Sequence, residues 1–398
     1  MMEKISMAVS SLENPYMKEW KAQGKAVIGF PCTFVPEEII HAAGMLPYRL
    51  RGIGTTSLSI GDTYFGPVIC SFPKCVLQLA GQGSYPFLDG AIITNGCDSM
   101  RRLDECWRKA GDDVAGILPA YFHYFGVPHK VTDYSLAWYE QEIRRFIASL
   151  EGHFSIRITD KALSKSIKLY NRSRRLLSRI DEMRFADAVP ITGADALAVI
   201  LAGSAMPREE YLGILEELVQ TLEKSPPVSE GKKRLMVVGS ANDDIEFIRL
   251  MEDSGAVVVA DSMCFGSRAH VDIAREGKDP VAALAAHYLN HQFCPRMFGY
   301  YRERLSFIMD RALRARVDGI ILQNIRFCDL HGSEHGIFER DIEAAGIPCM
   351  RMEREYGPLV ETGRIRMRID AFMERISQAP RPSGAGASGT GKDAGASL

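Results

Sequence analysis

The stretch from Asp89 to Cys106, DGAIITNGCDSMRRLDEC, decides the fold. Its apolar run Ala91 to Thr94 has the length of a buried strand and ends abruptly at Asn95-Gly96, a turn signal. From Asp98 to Trp107 the charges and spacing turn helical, with Asp98 in the position of a cap. Cys97 is therefore expected where a strand feeds a helix N-terminus. Ligands collect along that edge in open α/β sheets, because backbone N–H groups and the helix dipole stabilise negative charge there. A thiolate, or a thiolate-bound metal cluster, suits such a spot. A small buried cysteine in a βα turn would read the same way, so the other cysteines must carry the case.

Upstream, Lys25 to Phe30 reads as a strand that stops at Pro31-Cys32, and Val35 to Met45 has helical spacing with Glu37 and Glu38 in its first turn. Cys32 thus repeats the geometry of Cys97. Leu46 to Leu50 is a second strand. Gly52, Gly54 and Thr55-Thr56-Ser57 after it form a flexible turn that lacks the third glycine of a dinucleotide fingerprint. Cys70 and Cys75, in GPVICSFPKC, stand at a C-x4-C spacing that occurs in iron-sulfur proteins, ahead of the apolar Val76 to Ala80.

Downstream, Ser155 to Gln220 is helical: Leu163, Ile167, Tyr170, Leu177 and Ile180 recur at three and four residues, and Pro207 with Arg208-Glu209-Glu210 opens another periodic segment. The basic cluster Arg172, Arg174, Arg175 and Arg179 is expected on solvated faces rather than at a phosphate. Ser225-Pro226-Pro227 to Lys233 is a linker by composition. Alternation then resumes, with strands at Leu235 to Val238, Ala256 to Ala260, Gly319 to Leu322 and Ile347 to Met350. A helix is expected over Asp243 to Ser254, and a long helical stretch from Pro280 to Arg316. Such alternation argues for a parallel sheet covered by helices. Cys264 and Cys328 again follow strands, while Cys294, beside Pro295, falls where the long helical stretch could be interrupted.

The expected organisation is α/β: an N-terminal domain over 1–150, a helical segment and linker over 151–230, and a second α/β domain over 231–377. The Gly-, Ala- and Ser-rich tail over 378–398 reads as disordered. Gly386, Gly391 and Lys392 in that tail mimic a phosphate loop. Asp393 stands where Ser or Thr should hold magnesium, and no strand or helix flanks it, so the match is rejected.

Lys plus Arg total 48 against 50 for Asp plus Glu, a net charge of −2 that gives no reason to expect a nucleic-acid partner. Nothing has the apolar length of a signal peptide or a membrane span, so a soluble, cytoplasmic protein is expected. In a reducing compartment nine cysteines spread along 398 residues leave metal binding, catalysis or plain burial, not a disulfide framework. Zinc would show paired C-x2-C knuckles, which are absent, and His331, Glu334 and His335 do not form an H-E-x-x-H motif. Iron-sulfur clusters accept ligands singly from distant loops. Cysteines at comparable strand ends in both halves therefore point to a cleft lined with thiolates.

At these residues the sequence resembles the family of 2-hydroxyacyl-CoA dehydratase and benzoyl-CoA reductase subunits, with the double-cubane cluster proteins related to them. VPEEIIHAAGMLPYRLRG, FLDGAIITNGCDSMRR, SGAVVVADSMCFGSR, CPRM, VDGIILQNIRFCDLHGSEH, GIPCMRME and RMRIDAFMERI carry the resemblance, in order over about residues 25 to 377. Gly363-Arg364-Ile365 and Met367 depart from it, where a glutamine and a threonine are expected.

The resemblance implies a 4Fe-4S cubane held by Cys70, Cys97 and Cys328 between two Rossmann-like domains with parallel sheets. It also implies a separate ATP-hydrolysing iron-sulfur activator protein that injects one low-potential electron, and an acyl-CoA substrate converted through a ketyl radical. In the double-cubane relatives three further cysteines, matched here by Cys32, Cys264 and Cys294, hold a second cubane in a homodimeric reductase. All six are present, which places the double-cubane reading ahead of a subunit of a heterodimeric dehydratase. A non-catalytic cluster-binding or scaffold protein is the third class. Cys75, Cys106 and Cys349 read as ordinary core or surface residues. Glu37, Glu38, Arg101, Arg102 and Glu334 flank the expected cluster loops without an assignable acid or base role.

Overall fold

In the computed structural model, residues 1–357 and 362–378 are described; the tail expected to be disordered lies outside them, apart from its first residue, Gln378. Eight strands run through the described chain: β1 (Val27–Phe30), β2 (Leu46–Arg49), β3 (Gly90–Thr94), β4 (Tyr121–Phe125), β5 (Lys233–Gly239), β6 (Ala256–Met263), β7 (Gly319–Ile325) and β8 (Cys349–Arg354). They form two four-stranded sheets in the orders β2-β1-β3-β4 and β6-β5-β7-β8. Every pairing is parallel, so each half is the helix-covered α/β unit that the alternation predicts. The two halves share one strand order. Each therefore reverses winding direction beside its first strand, and the crevice at a sheet's carboxyl edge opens at that point.

The helices between them start where the sequence places cap residues. Thr132, Thr159 and Thr192 accept hydrogen bonds from the N–H groups of Ser135, Ala162 and Asp195, and Asp244 and Asp279 cap the helices Ile245–Asp253 and Pro280–Leu289. The long helical stretch expected from Pro280 to Arg316 is two helices, Pro280–Leu289 and Tyr301–Arg314. Pro295 and Gly299, with its φ of +92°, break it and release Cys294 into a loop. The helix expected over Val35 to Met45 is shorter, Glu37–Ala42, because Pro36 precedes it and Gly44 at φ +76° ends it. The strand β4 was not expected from the sequence; its half-exposed YFHYF is interrupted by His123, and it forms the edge of the first sheet.

One hydrophobic core is common to both sheets: it joins Leu46, Ala91 and Ile93 to Leu235, Val258 and Ile321 through the helix Gly193–Ala202. A second core covers the other face of the first sheet and includes Val281, Leu284 and Leu289 from the chain's second half. The sheets meet at their carboxyl edges. There Arg51 is ion-paired to Asp243 at 3.0 Å, and the Gly52 N–H donates to the Tyr356 hydroxyl at 2.8 Å. Gly239, at the end of β5, makes the closest approach: a Cβ there would lie 1.8 Å from the Gln323 carbonyl oxygen. The edge of the second sheet is closed by side chains, since Arg368 and Arg375 donate to the Arg351 and Cys349 carbonyls. Among the described residues no helix is long and apolar enough to cross a membrane.

Candidate metal centre

Cys32 comes just after β1, Cys97 after β3, Cys264 directly after β6 and Cys328 after β7, so the carboxyl edges of both sheets supply thiols to the seam between them. Cys294 arrives on the loop that splits the two late helices, and Cys70 on the loop before the helix Ser71–Gly81. All six thiols are free. Their charges act on one another. Cys97 is raised by burial first and then by Cys70, Cys328 and Cys32; Cys328, pushed up to about 12, is raised by burial and then by Cys70 and Cys294. Cys294 is raised by burial, Cys264 and Cys32, and Cys32 by burial and Cys264. These effects run both within and between the two trios, or triangles, expected from the sequence, Cys70–Cys97–Cys328 and Cys32–Cys264–Cys294: Cys97 is acted on by Cys32 as well as by Cys70 and Cys328, and Cys328 by Cys294 as well as by Cys70.

The first triangle has an unusual helical setting. Cys70, Cys97 and Cys328 each occupy the N-cap position of a helix, Ser71–Gly81, Asp98–Asp113 and Asp329–Ala344, and none makes a full side-chain capping bond. The cap is therefore Cys97 itself, not Asp98, which sits in the first turn. Cysteine is a poor cap, so the first-turn N–H groups stay available to whatever the sulfurs bind. The N–H groups of Phe72, Met100 and His331 face these sulfurs, and the Ser99 hydroxyl faces Cys70; each favours the thiolate against the burial that opposes it. Three positive helix ends thereby converge on one place.

Arginines surround the second triangle. Arg49 donates to Cys264 Sγ at 2.7 Å and to its carbonyl at 2.8 Å, and the Thr33 hydroxyl lies 3.4 Å from the same sulfur. Burial alone would raise Cys264, but Arg49 and then Arg268 outweigh it and hold this thiol below its ordinary range. Cys32 packs so closely against the turn after β3 that a Cβ on Gly96 would stand 2.8 Å from its sulfur. Gly96 thus leaves room for the Cys32 sulfur.

Six buried or half-buried thiols, backed by N–H donors and cations and sharing an edge, form a donor set that fits cysteine-ligated iron-sulfur chemistry. Among the described residues no three His, Cys, Asp or Glu side chains converge as ligands of a single ion would. The remaining cysteines have other partners: Cys75, which Cys70 also acts on, donates to the Tyr356 carbonyl and Cys106 to that of Tyr64, and Cys349 is buried in the core of the second sheet. A cavity of about 730 Å³ beside β8 is lined by Cys349 and by none of the six.

The acidic and basic residues flanking the cysteine loops turn out to be paired. Glu38 is fully buried, held by Arg174 at 2.7 Å and by the Tyr288 hydroxyl at 2.7 Å, and Glu37 accepts from Arg208 at 2.8 Å. Arg174 therefore departs from the solvated face expected for it, because Glu38 offers a buried counter-charge. Arg172, Arg175 and Arg179 do make exposed pairs. Arg102 pairs with Glu105, Arg101 is exposed, and Glu334 is forked by Arg304. His331 and His335 are buried and kept neutral, first by burial and then by nearby arginines. Sequence reasoning missed Arg49, Arg268 and Arg296. The only sequence signal was a charge inside or next to apolar runs, as in LPYR and CPRM.

Comparison with known proteins adds a lineage to this geometry. The family model described as 2-hydroxyglutaryl-CoA dehydratase, D-component, matches residues 32–376. The beta subunit of (R)-phenyllactyl-CoA dehydratase from Clostridium sporogenes is 27% identical over 371 residues, covering 92% of this chain and 96% of that protein. One subunit of benzoyl-CoA reductase from Thauera aromatica is 26% identical over 322 residues, 78% of this chain and 81% of its own length. The beta subunit of (R)-2-hydroxyglutaryl-CoA dehydratase from Acidaminococcus fermentans is 24% identical over 385 residues, 92% and 97% of the two chains.

Proposed function

The chain belongs to the 2-hydroxyglutaryl-CoA dehydratase D-component family, and on that premise we propose that it is an iron-sulfur redox enzyme whose six clustered cysteines hold two cubanes. Cys70, Cys97 and Cys328 would ligate one and Cys32, Cys264 and Cys294 the other. What supports this reading is that six free cysteines from both halves lie on loops at the seam between the two sheets, where Arg49 of the first half donates to Cys264 Sγ of the second at 2.7 Å. Bound there, the iron-sulfur group supplies one-electron transfer at low potential. The chain's own residues hold and shield it. The N–H groups of Phe72, Met100 and His331 stabilise thiolate charge, Arg49 orients Cys264, and the packing of both sheet edges excludes bulk water.

The electron source in this reading is a separate ATP-hydrolysing iron-sulfur activator, and the working unit is a homodimer or a heterodimer with a homologous subunit. The substrate is a small unsaturated molecule or an acyl-CoA thioester. A second reading, a subunit of a heteromeric acyl-CoA dehydratase or benzoyl-CoA reductase, is favoured by the names of the relatives, each of which is a subunit. Purification without air separates the two. The first reading expects a brown protein that assembles with itself and retains two cubanes' worth of iron. A chain with one cubane that co-purifies with a homologous partner favours the second, and a colourless chain that stays iron-free after anaerobic reconstitution overturns both. By itself the chain should not hydrolyse ATP; turnover without a partner would contradict the activator.

A further inference from the structure

The two cysteine triangles sit in different electrostatic surroundings. Arg49, Arg268 and Arg296 are 5%, 3% and 2% exposed, and none has a carboxylate of the described residues within ion-pair distance. Elsewhere the buried guanidinium groups of Arg51, Arg174, Arg184, Arg208, Arg304 and Arg311 all have one. Arg49 instead directs its donors at Cys264 Sγ, the Cys264 carbonyl and Thr33 Oγ1. Arg268 donates to the carbonyl of Phe293, next to Cys294, and to that of Gly239. Arg296 donates to the carbonyls of Gly96, Pro128 and Val127. The Nε atoms of Arg49 and Arg268 are buried without an acceptor. Carbonyls satisfy hydrogen bonds but not charge, so three buried cations require an anion at the place they surround.

The Cys70–Cys97–Cys328 side is different. Its positive charge comes from helix ends, about half a unit each, and the side-chain charges that act on it are the exposed carboxylates of Asp329 and Glu355 and, at Cys97, the Arg296 guanidinium that also faces Cys32 and Cys294. Full buried charges are screened far less than exposed ones. With Arg49 and Arg268 added to Arg296, the arginine side is therefore the more positive.

Building on the two-cubane reading, we propose that Arg49, Arg268 and Arg296 make the group held by Cys32, Cys264 and Cys294 the resting place of the first electron the protein accepts, with Arg49 the positioning residue that sets its potential. Hydrogen bonds to ligand sulfur and nearby positive charge favour the reduced form of an iron-sulfur centre and raise its potential. In that step a one-electron reductant is oxidised by one electron, the iron-sulfur group is reduced by one, and no bond or proton is exchanged. The group at Cys70, Cys97 and Cys328, of lower potential, is then reduced second.

The test is an anaerobic titration of the full-length, cluster-loaded protein with titanium(III) citrate, followed by electron paramagnetic resonance, with iron per chain measured on the same samples. In the unaltered protein two one-electron couples are expected. Arg49→Gln should lower the reduced-to-oxidised ratio of the upper couple at least tenfold at fixed applied potential, about 59 mV for one electron. The lower couple and the iron content should stay unchanged. Arg49→Lys, which keeps the charge but not the forked contact, should move the same couple less, and it serves if the Gln variant does not fold. An unmoved upper couple, or a shift of the lower one, in samples carrying full iron overturns the proposal. Iron for only one cubane in the unaltered protein instead overturns the reading it rests on, so the two failures are distinguishable.

Discussion

Replacing Asp243 by Asn tests how the two halves are held around the thiols. Arg51 follows β2 in the first half and Asp243 follows β5 in the second, with side chains 1% and 2% exposed and 3.0 Å apart. Asp243 is the only carboxylate of the described residues in ion-pair contact with Arg51; the guanidinium also donates to the Val9 carbonyl, and one of its nitrogens is buried without an acceptor. Breaking a buried pair by removing one partner costs about 3–5 kcal/mol, because the other charge stays desolvated. That is two to three and a half powers of ten in a folding constant, at about 1.4 kcal/mol each. With a urea dependence of about 3 kcal/mol per molar, the unfolding midpoint should fall by about 1–2 M. The assay follows urea unfolding by tryptophan fluorescence and circular dichroism together. Trp20, Trp107 and Trp138 all lie in the first half, so a lag of ellipticity behind fluorescence would show the halves unfolding in turn. Removing both charges, Arg51→Met with Asp243→Leu, should recover most of the loss. A midpoint for Asp243→Asn within about 0.3 M of the unaltered protein, or a double variant as unstable as the single, would refute this reasoning.

Acid should destabilise the fold through its buried histidines. His335 is lowered from 6.5 to about 4, by burial first and then by Arg351 and Arg268. The unfolded chain therefore binds the extra proton more readily, and the stabilisation, present in full above pH 6.5, is lost as pH falls towards 4. The loss is on the order of 3 kcal/mol; His335→Gln should flatten the fall in melting temperature over that window, and an unchanged slope would contradict the assignment. Gly96→Ala should lower iron retention while the protein still folds, because the new Cβ would meet Cys32 Sγ at 2.8 Å; iron content with normal ellipticity reads this directly. Gly239→Ala should abolish soluble protein, since a Cβ 1.8 Å from the Gln323 carbonyl cannot be accommodated by a side-chain shift; recovery of folded protein would refute it.

The strands and the cysteine positions were legible because they depend on local pattern. Apolar runs such as Ala91 to Thr94 and Gly319 to Leu322, ended by turn residues, reappear as β3 and β7 with Cys97 and Cys328 just beyond them. Pro295 likewise marked the break that frees Cys294. Long-range electrostatics were not legible. Arg174 sits on a helix face with the spacing of its exposed neighbours, and only the fold brings it to Glu38. Arg49 closes an apolar strand with nothing nearby in the chain to neutralise it, and its contact is a sulfur on the opposite sheet. Asp98 looked like a cap because Asp favours that position, whereas the structure places cysteine there and leaves the first-turn N–H groups for other acceptors.

Iron and acid-labile sulfide per chain, measured on protein kept strictly without air, bear most directly on two cubanes held by two triangles of thiols. The unaltered protein should carry about eight irons, and Cys264→Ala should fall towards about four while a cubane signal remains. Cys97→Ala should disturb the other cluster instead. About four irons in both the unaltered protein and Cys264→Ala would contradict the two-cubane arrangement and leave the chain a one-cluster subunit.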